Sequence, residues 1–292
     1  MRPESGVQQI LDRVTARLSR VRGIEAVALG GSHARGTADR HSDVDLGLYY
    51  HGRHPFRISS LEQAARALDD RGSPGLMTRF GEWGPGVNGG GWLQIDGVHV
   101  DFLYRDLDLV SRAIDDCRRG QISSLYQLGH PMGFHSQIYA GEINCCVPIY
   151  DPGSVLRRLK RMVAVYPLAL RRAIVTRHLF DATFMIALAE KPAARGDVAY
   201  VAAALAHAAG FMTMVLYALN RRWLINEKGA LPASREFRLV PRAFHTTIES
   251  VLAKPGDKPP ALARSVARMR SMAAALRAAA RREGIVVSGF GL

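Results

Sequence analysis

The spacing of apolar residues changes character about halfway along the chain. Up to about residue 150, short apolar runs alternate with glycine-rich turns, which is typical of β-strands. Beyond residue 151, apolar residues recur every three or four positions over long stretches, which predicts helices. The first 22 residues also follow helical spacing. The pattern therefore predicts an α+β protein in which a mixed sheet flanked by helices is followed by an α-helical region.

The individual elements follow from the same pattern. The predicted strands are Ile24–Leu29, Val44–Tyr50, Trp92–Ile95, Val98–Tyr104 and Val147–Tyr150. The predicted helices beyond the first are Leu61–Asp70, Val155–Val165, Leu168–Glu190, Asp197–Asn220, Arg242–Leu252 and Pro260–Arg282. Asp96-Gly97 is the strongest hairpin signal, because both residue types tolerate the positive φ angles of a two-residue β-turn. The glycine-rich stretch Gly81–Gly91 is expected to be a flexible loop beside the strands.

The turn Asp151-Pro152-Gly153 predicts a domain boundary. We expect one domain over residues 1–150 and a second, helical domain over residues 151–292. A chain of 292 residues suits one large domain or two small ones. With 48% hydrophobic and 22% charged residues, its composition excludes a disordered chain.

Charge is distributed unevenly between the two predicted domains. Residues 1–150 contain 16 basic and 17 acidic residues, whereas residues 151–292 contain 23 basic and 9 acidic residues. Arginine outnumbers lysine 34 to 5. A basic half favours an anionic partner such as nucleotide phosphates or nucleic acid, with an arginine-rich solvated surface as the alternative. Arg157, Arg158, Arg171 and Arg172 are expected to be solvated.

One stretch, Val198–Leu219, carries no charged residue and has the length of a membrane span. Because it is rich in alanine and contains His207 and Gly210, a buried helix is the better interpretation, and we expect no membrane partner.

Three cysteines, Cys117, Cys145 and Cys146, provide neither a disulfide framework nor zinc-ligand spacing. Together with the absence of a secretory signal, this predicts a cytoplasmic protein.

The segment from Ala28 to Tyr50 carries the candidate chemistry. A predicted strand ends at Gly30-Gly31-Ser32 and leads into a short predicted helix. Glycines let a backbone approach a ligand closely, and Ser32 is a good N-cap for the helix. The free N–H groups of a helix N-terminus bind phosphate oxygens. Arg35, one turn into the helix, is placed to reach the same phosphates.

Acidic residues follow on the next two strands. Asp43 and Asp45 are two positions apart, so their side chains point to the same face. Asp101 lies on the strand Val98–Tyr104, away from that strand's apolar side. Like charges placed side by side require a cation, and hard oxygen ligands suit Mg²⁺ or Mn²⁺. Three carboxylates beside a phosphate-binding turn predict a two-metal site for phosphoryl or nucleotidyl transfer.

Other interpretations of this segment are weaker. A phosphate-binding P-loop would need a lysine before Thr37, where the chain has Gly36. A hydrolase nucleophile elbow would need glycine where the chain has Ala34, and it would leave both aspartates unexplained. A plain β-turn with surface acids explains each residue singly but not the whole string.

The string GGSHARG, followed by SDVDL and far downstream by VDF, resembles the nucleotidyltransferase superfamily that includes DNA polymerase β and the antibiotic nucleotidyltransferases. The resemblance covers roughly residues 20–150. It implies transfer of a nucleoside monophosphate from ATP or another NTP, with two divalent metals. Gly31 and Ser32 would hold the triphosphate, and Asp43 and Asp45 would bind metal. Asp101 would be the third carboxylate, as metal ligand or general base.

The second half resembles, more weakly, the helical substrate domain of the antibiotic-modifying branch. In similar proteins a lysine from this domain reaches the triphosphate. Lys228, expected at the end of a long helix, is the candidate for that contact, with a solvated lysine as the alternative.

The acceptor stays open between a small hydroxylated molecule such as an aminoglycoside or lincosamide antibiotic, RNA such as a tRNA end, and a protein hydroxyl. The small molecule fits the length and the two-domain layout. A polycationic aminoglycoside would require an acidic pocket, however, and the basic second half favours RNA. A non-catalytic nucleotide-binding module is the competing class, but such a protein is expected to have lost one or more of the three acids. The oligomeric state is not determined by the sequence.

Overall fold

A computed structural model describes residues 5–287 of the chain. It divides into two compact units. The first, here the sheet unit, comprises the described part of Met1–Asp115 together with Leu125–Leu128 and Phe134–Val165. The second, here the helical unit, comprises Asp116–Ser124, Gly129–Gly133 and the described part of Tyr166–Leu292. The predicted fold class is confirmed: a mixed sheet with flanking helices precedes a helical region.

The strands are β1 Ala26–Leu29, β2 Val44–Tyr50, β3 Gly90–Ile95, β4 Val98–Asp106, β5 Ser124–Leu125, β6 Phe134–His135 and β7 Val147–Tyr150. The helices up to residue 165 are α1 Ser5–Leu18, α2 Gly31–Arg35, α3 Ile58–Arg66, α4 Leu107–Arg119, α5 Gln137–Cys145 and α6 Val155–Met162. Those that follow are α7 Leu168–Leu188, α8 Glu190–Arg195, α9 Val198–Leu219, α10 Ala230–Ala233, α11 Phe244–Ala253 and α12 Pro259–Arg282, with a 3₁₀ turn at Ser234–Glu236. Residues 1–4 of the predicted N-terminal helix lie outside the described residues.

The main sheet has the strand order β3-β4-β2-β1-β7. β2 and β4 run parallel, and every other neighbouring pair in this sheet is antiparallel. Alternation along the strands gives the sheet two different faces. One face, with Leu46 of β2 and Phe102 of β4, is fully buried with residues of α1 and α3 in a single core. The opposite face carries the residues of odd number in β2 and β4.

The predicted hairpin is confirmed in detail. β3 and β4 pair with Ile95 opposite Val98, so that only Asp96 and Gly97 form the turn. Both turn residues have positive φ, 53° for Asp96 and 77° for Gly97, as a type I′ turn requires. The Asp70 carboxylate accepts hydrogen bonds from both turn N–H groups, at 2.9 and 2.8 Å. The register of this strand pair therefore follows from the turn.

Two helices of the first 150 residues were not predicted, α4 and α5. The sequence of α5 has little amphipathic pattern, because residues all around the helix are buried, among them Ile138, Ala140 and Gly141. A helix that is enclosed on most sides gives no single apolar stripe, so periodicity does not reveal it.

The helical unit is built on α7 and α9, with α12 packed against both. Its core is formed by the apolar residues of these helices, such as Leu179, Leu205 and Met269. α9 is long and apolar enough to cross a membrane by length and composition. Half of its most apolar 18-residue stretch is buried inside the protein, and the core helix of a folded domain can have the same length and composition.

The expectation that Arg171 is solvated is wrong. Its side chain is only 7% exposed, and Nη2 donates to the Leu219 carbonyl at 2.9 Å and to Glu283 at 2.8 Å. The guanidinium therefore satisfies a carbonyl at the C-terminal end of α9, where cations are stabilised by the helix dipole. Arg157, Arg158 and Arg172 are exposed, as expected.

Candidate active site

The parallel pairing of β2 with β4 places two of the predicted acids side by side. Asp45 lies directly opposite Asp101 in the register. Both belong to the sheet face opposite the core, since their neighbours Val44 and Val100 are fully buried in it. Asp43 lies one residue before β2 and is exposed.

Electrostatics indicate that these carboxylates repel one another. The pKa of Asp101 is raised to about 6, first by burial and then by the negative charges of Asp45 and Asp43. The pKa of Asp45 is also raised, first by burial and then by Asp43 and Glu142. Each ionised carboxylate thus disfavours the ionisation of its neighbours.

The placement of the acids bears on the predicted metal site. Among residues 5–287, no group of three or more His, Cys, Asp or Glu side chains is gathered closely enough to hold a metal ion. The donor chemistry nevertheless fits Mg²⁺ or Mn²⁺, because hard carboxylate oxygens share one face and a cation would relieve their repulsion. Asp45 and Asp101, opposite each other on β2 and β4, would supply two of its ligands, and Asp43 stays the predicted third.

The N-cap of α2 is not the residue that the sequence predicts. α2 begins at Gly31 and its N-cap is Gly30, so Ser32 lies inside the first turn and does not cap the helix. The Gly30 N–H donates to the Asp45 carbonyl at 2.8 Å, which fixes the turn beside β2. The first N–H groups of the helix have no acceptor within it, as at any helix start. They are the backbone donors available to a phosphate.

Gly31 is the position where glycine is required. Its φ is +56°, a left-handed conformation that is strained for other residues. A Cβ atom at this position would lie 1.7 Å from Oδ2 of Asp45 and 2.7 Å from its Cγ. Gly31 therefore permits contact between the turn and the Asp45 carboxylate.

Arg35 lies near the acids, at the other end of α2. Its side chain is exposed, and Nε donates to the Gly31 carbonyl at 3.1 Å. Its positive charge partly offsets the rise in the pKa of Asp45 that burial and Asp43 cause. An exposed guanidinium beside the turn is placed to meet an anion there.

Lys228 is not at the end of a long helix, contrary to expectation. α9 ends at Leu219, and Lys228 lies in a turn just before α10 within the helical unit. Its side chain is exposed, and its backbone N–H donates to the Asn226 side chain at 2.8 Å. Its contact with the triphosphate stays a prediction.

An ion pair that the sequence did not reveal lies on the same face of the sheet. Arg105 of β4 is buried and binds Glu142 of α5 through two hydrogen bonds of 2.7 Å. Arg105 also donates to the Val87 carbonyl at 3.1 Å. Arg105 directly follows the predicted strand Val98–Tyr104 and continues the alternation of Asp101 and Leu103, which was the available signal. A charge that becomes buried there needs a partner. Glu142 belongs to an unpredicted helix, so that partner was not found.

The glycine-rich stretch expected to be flexible is held by hydrogen bonds. The buried Gln127 side chain accepts from the N–H groups of Gly86 and Val87 at 3.1 and 3.3 Å. Tyr139 donates to the Gly86 carbonyl at 2.6 Å, and Asn88 donates to the Tyr50 hydroxyl at 2.7 Å. Hydrogen bonds with Gln127, Tyr139 and Tyr50 therefore hold the loop against the rest of the sheet unit.

Comparison with known proteins identifies the part of the chain that contains these residues. The family model described as "Nucleotidyltransferase domain" matches residues 7–107, which include Gly31, Asp43, Asp45 and Asp101. Residues 7–107 form a nucleotidyltransferase domain. The match supports, in general terms, a transferase that moves a nucleoside monophosphate.

Other comparisons add little to the nucleotidyltransferase assignment. No curated protein matches the chain. Eleven chains of solved structures do match. One is a nucleotidyltransferase-like protein from Exiguobacterium sibiricum 255-15, with 10% identity, 95% coverage of this chain, 78% coverage of that chain and a TM-score of 0.44. A likeness at this level supports no argument about activity.

The role of Gly31 can be separated from simple backbone strain. Gly31→Ala should lower the affinity for ATP by about tenfold or more, because its Cβ would collide with Asp45 and displace the turn. Gly75→Ala is the matched control: Gly75 has φ +79°, and a Cβ added there would have nothing within 4 Å, so only the strain is added. We expect Gly75→Ala to bind ATP as the wild type does, measured by calorimetry. Equal ATP affinity in Gly31→Ala and wild type would show that ATP binding does not depend on the close approach of the Gly31 turn to Asp45.

The Arg105–Glu142 pair predicts a large stability effect. Glu142→Gln should lower the free energy of unfolding by about 2–4 kcal/mol, because it leaves the buried Arg105 without a carboxylate. The double variant Arg105→Leu/Glu142→Leu should be less destabilised than Glu142→Gln, since no charge is left buried. Urea denaturation measures both. A cost below about 1 kcal/mol for Glu142→Gln would show that the pair is not structurally important.

Proposed function

We propose that this protein transfers a nucleoside monophosphate from ATP or another NTP to a hydroxyl group of a small-molecule acceptor. The observation that carries the proposal is the register of Asp45 opposite Asp101, beside the turn at Gly31. An acid in contact with the proposed phosphate-binding turn, with a second acid beside it, would suit nucleotidyl transfer.

The phosphate-binding roles follow from the positions of the polar groups. The N–H groups at Gly31 and Ser32 and the Ser32 hydroxyl would bind the triphosphate. Arg35, exposed near Asp45, would add a positive charge at the same place. Lys228 of the helical unit is the proposed fourth contact, on the strength of the resemblance alone.

Asp43, Asp45 and Asp101 would hold Mg²⁺ or Mn²⁺. When bound, such ions neutralise phosphate charge and lower the pKa of an acceptor hydroxyl. The mutual repulsion of the acids supports this role, because it makes the site favourable for cations before any substrate arrives.

Asp101 would also accept the proton of the acceptor hydroxyl. Its carboxylate lies directly opposite Asp45 in the register, on the sheet face away from the core, where it would be positioned to take a proton from a bound acceptor. The hydroxyl oxygen forms a new bond to the α-phosphorus as the bond to the bridging oxygen breaks, and pyrophosphate leaves. Positioning of the two reactants supplies much of the rate.

A small hydroxylated acceptor, such as an aminoglycoside or lincosamide antibiotic, is our first proposal for the substrate. It is supported by the resemblance of the chain to the antibiotic-modifying branch. RNA is the second, because residues 151–292 carry 23 basic against 9 acidic residues. A non-catalytic binding module is disfavoured, since all three acids are present. The proposed location is the cytoplasm, where NTP is available.

Removal of one acid should separate activity from stability. Asp45→Asn should lower turnover at least about 100-fold, because a ligand oxygen charge is lost at the reacting phosphate. In the absence of divalent metal its melting temperature should be unchanged or higher than that of wild type, because the variant removes a repulsion. Asp43→Asn should behave in the same way. Near wild-type pyrophosphate release by either variant would refute the assignment of these residues.

The acceptor can be identified by product analysis. The protein is incubated with each labelled NTP and Mg²⁺, with a panel of antibiotics or with total tRNA, and pyrophosphate is measured. We expect release with a small molecule, with little dependence on salt beyond that of NTP binding itself. Efficient labelling of tRNA that falls steeply with salt would instead establish the RNA alternative, since counterion release accompanies each phosphate contact.

A further inference from the structure

Two tryptophans stack on each other on the sheet face that carries the acids. The rings of Trp83 and Trp92 have centroids 4.6 Å apart and planes inclined by 25°. Trp92 is 62% exposed, although indole is among the largest apolar side chains. Trp83 is partly buried, so Trp92 presents the exposed surface of the pair. Exposure of so large an apolar surface calls for an explanation, because its burial would be favourable.

The register places the pair beside the reacting groups. Trp92 of β3 lies directly opposite Asp101 of β4. Its neighbour Leu93 is buried in the core, so Trp92 shares the opposite face with Asp101. Across the sheet the order is β1, β2, β4 and β3, so the turn at Gly31 and Trp92 lie on opposite sides of the two acids. The indoles thus lie beyond Asp101, on the side away from the phosphate-binding turn.

The pair is held in place before any ligand binds. The backbone N–H of Trp83 donates to the Asn88 carbonyl at 3.0 Å, and the Asn88 side-chain oxygen accepts from the Gly81 N–H at 2.9 Å. Gly90 leaves room for the ring, because a Cβ there would lie 2.7 Å from Cζ3 of Trp83. A fixed aromatic surface binds a ligand with little loss of conformational freedom.

The charged residues of β3 and β4 favour a ligand that is not an anion. β3 and β4, both fully described, contain no lysine, and their one arginine, Arg105, is bound to Glu142. The other polar residues of β3 and β4 on this face next to Trp92 and Asp101 are Gln94 and His99, and Asp45 of β2 lies on the far side of Asp101. A polyanion such as RNA would meet Asp101 with no basic side chain of these strands to balance its phosphates. A neutral or cationic ring meets no such penalty, and cations are attracted to indole faces.

We propose that Trp83 and Trp92 form the acceptor subsite, where they bind the face of a neutral or cationic ring of a small molecule and hold its hydroxyl beside Asp101. The inference rests on the proposed function. It adds to that function the residues that recognise the acceptor and the charge that the acceptor carries.

A binding experiment tests the subsite without turnover. Trp223→Phe removes the one other tryptophan of the chain, so that fluorescence reports the pair alone. In this variant, with ATP and Ca²⁺ in place of Mg²⁺ to suppress reaction, kanamycin and lincomycin are titrated separately. We expect at least one of them to change the emission with saturation, and Trp92→Phe to weaken its binding. If neither ring compound changes the emission, the proposal is wrong.

A kinetic experiment separates acceptor from nucleotide. Trp92→Ala should raise KM for the acceptor about 10- to 100-fold, the range expected for loss of one stacking contact, and leave the Kd for ATP within about twofold of wild type. The acceptor KM of Trp92→Phe should lie between those of wild type and Trp92→Ala, because a smaller ring face remains. Loss of ATP affinity in Trp92→Ala would overturn the proposal, since the pair would then bind the nucleobase.

The two proposals fail in different ways. Turnover of an acceptor that is insensitive to Trp92→Ala would refute the subsite and leave nucleotidyl transfer intact. Saturable fluorescence changes with no pyrophosphate release for any acceptor would refute the transfer reaction and retain the ring-binding site. Labelling of tRNA that depends on Trp92 would overturn the charge argument.

Discussion

The parallel pairing of β2 with β4 puts the carboxylates of Asp45 and Asp101 next to each other on one face of a sheet. Their repulsion opposes this pairing, and it adds to the effect of burial, which is the main cause of the raised pKa of Asp101. The opposite face compensates, because Leu46 and Phe102 of the same strands are fully buried in the core. Hydrophobic burial on one face thus maintains an unfavourable concentration of charge on the other.

The remaining parts of the proposed active site are arranged around these two acids. Gly31 brings a turn with free N–H groups against Asp45, on the β1 side. Trp92 lies against Asp101 on the β3 side. The proposed phosphate contact, the proposed metal-binding acids and the aromatic surface therefore follow one another across neighbouring strands, in the order that a transfer from nucleotide to acceptor would use.

Buried ionic groups support this face. The pairing of Arg105 with Glu142 joins β4 to α5, and the same glutamate contributes to the raised pKa of Asp45. In the helical unit, Arg171 is bound to Glu283 and to the Leu219 carbonyl, so not every charge of the basic half is available to a partner. The net charge of that half is therefore an upper limit for what an anionic ligand would meet.

The sequence by itself determined the local features. The residue types of Asp96 and Gly97 favour a two-residue hairpin turn. Once that turn is given, counting residues along both strands places Trp92 opposite Asp101. Only the tertiary structure decided which distant strand pairs with β2, because parallel pairing depends on no adjacent turn and the alternating pattern fits several partners. It also decided the partner of Arg105, since α5 is enclosed on most sides and leaves no periodic signal in the sequence.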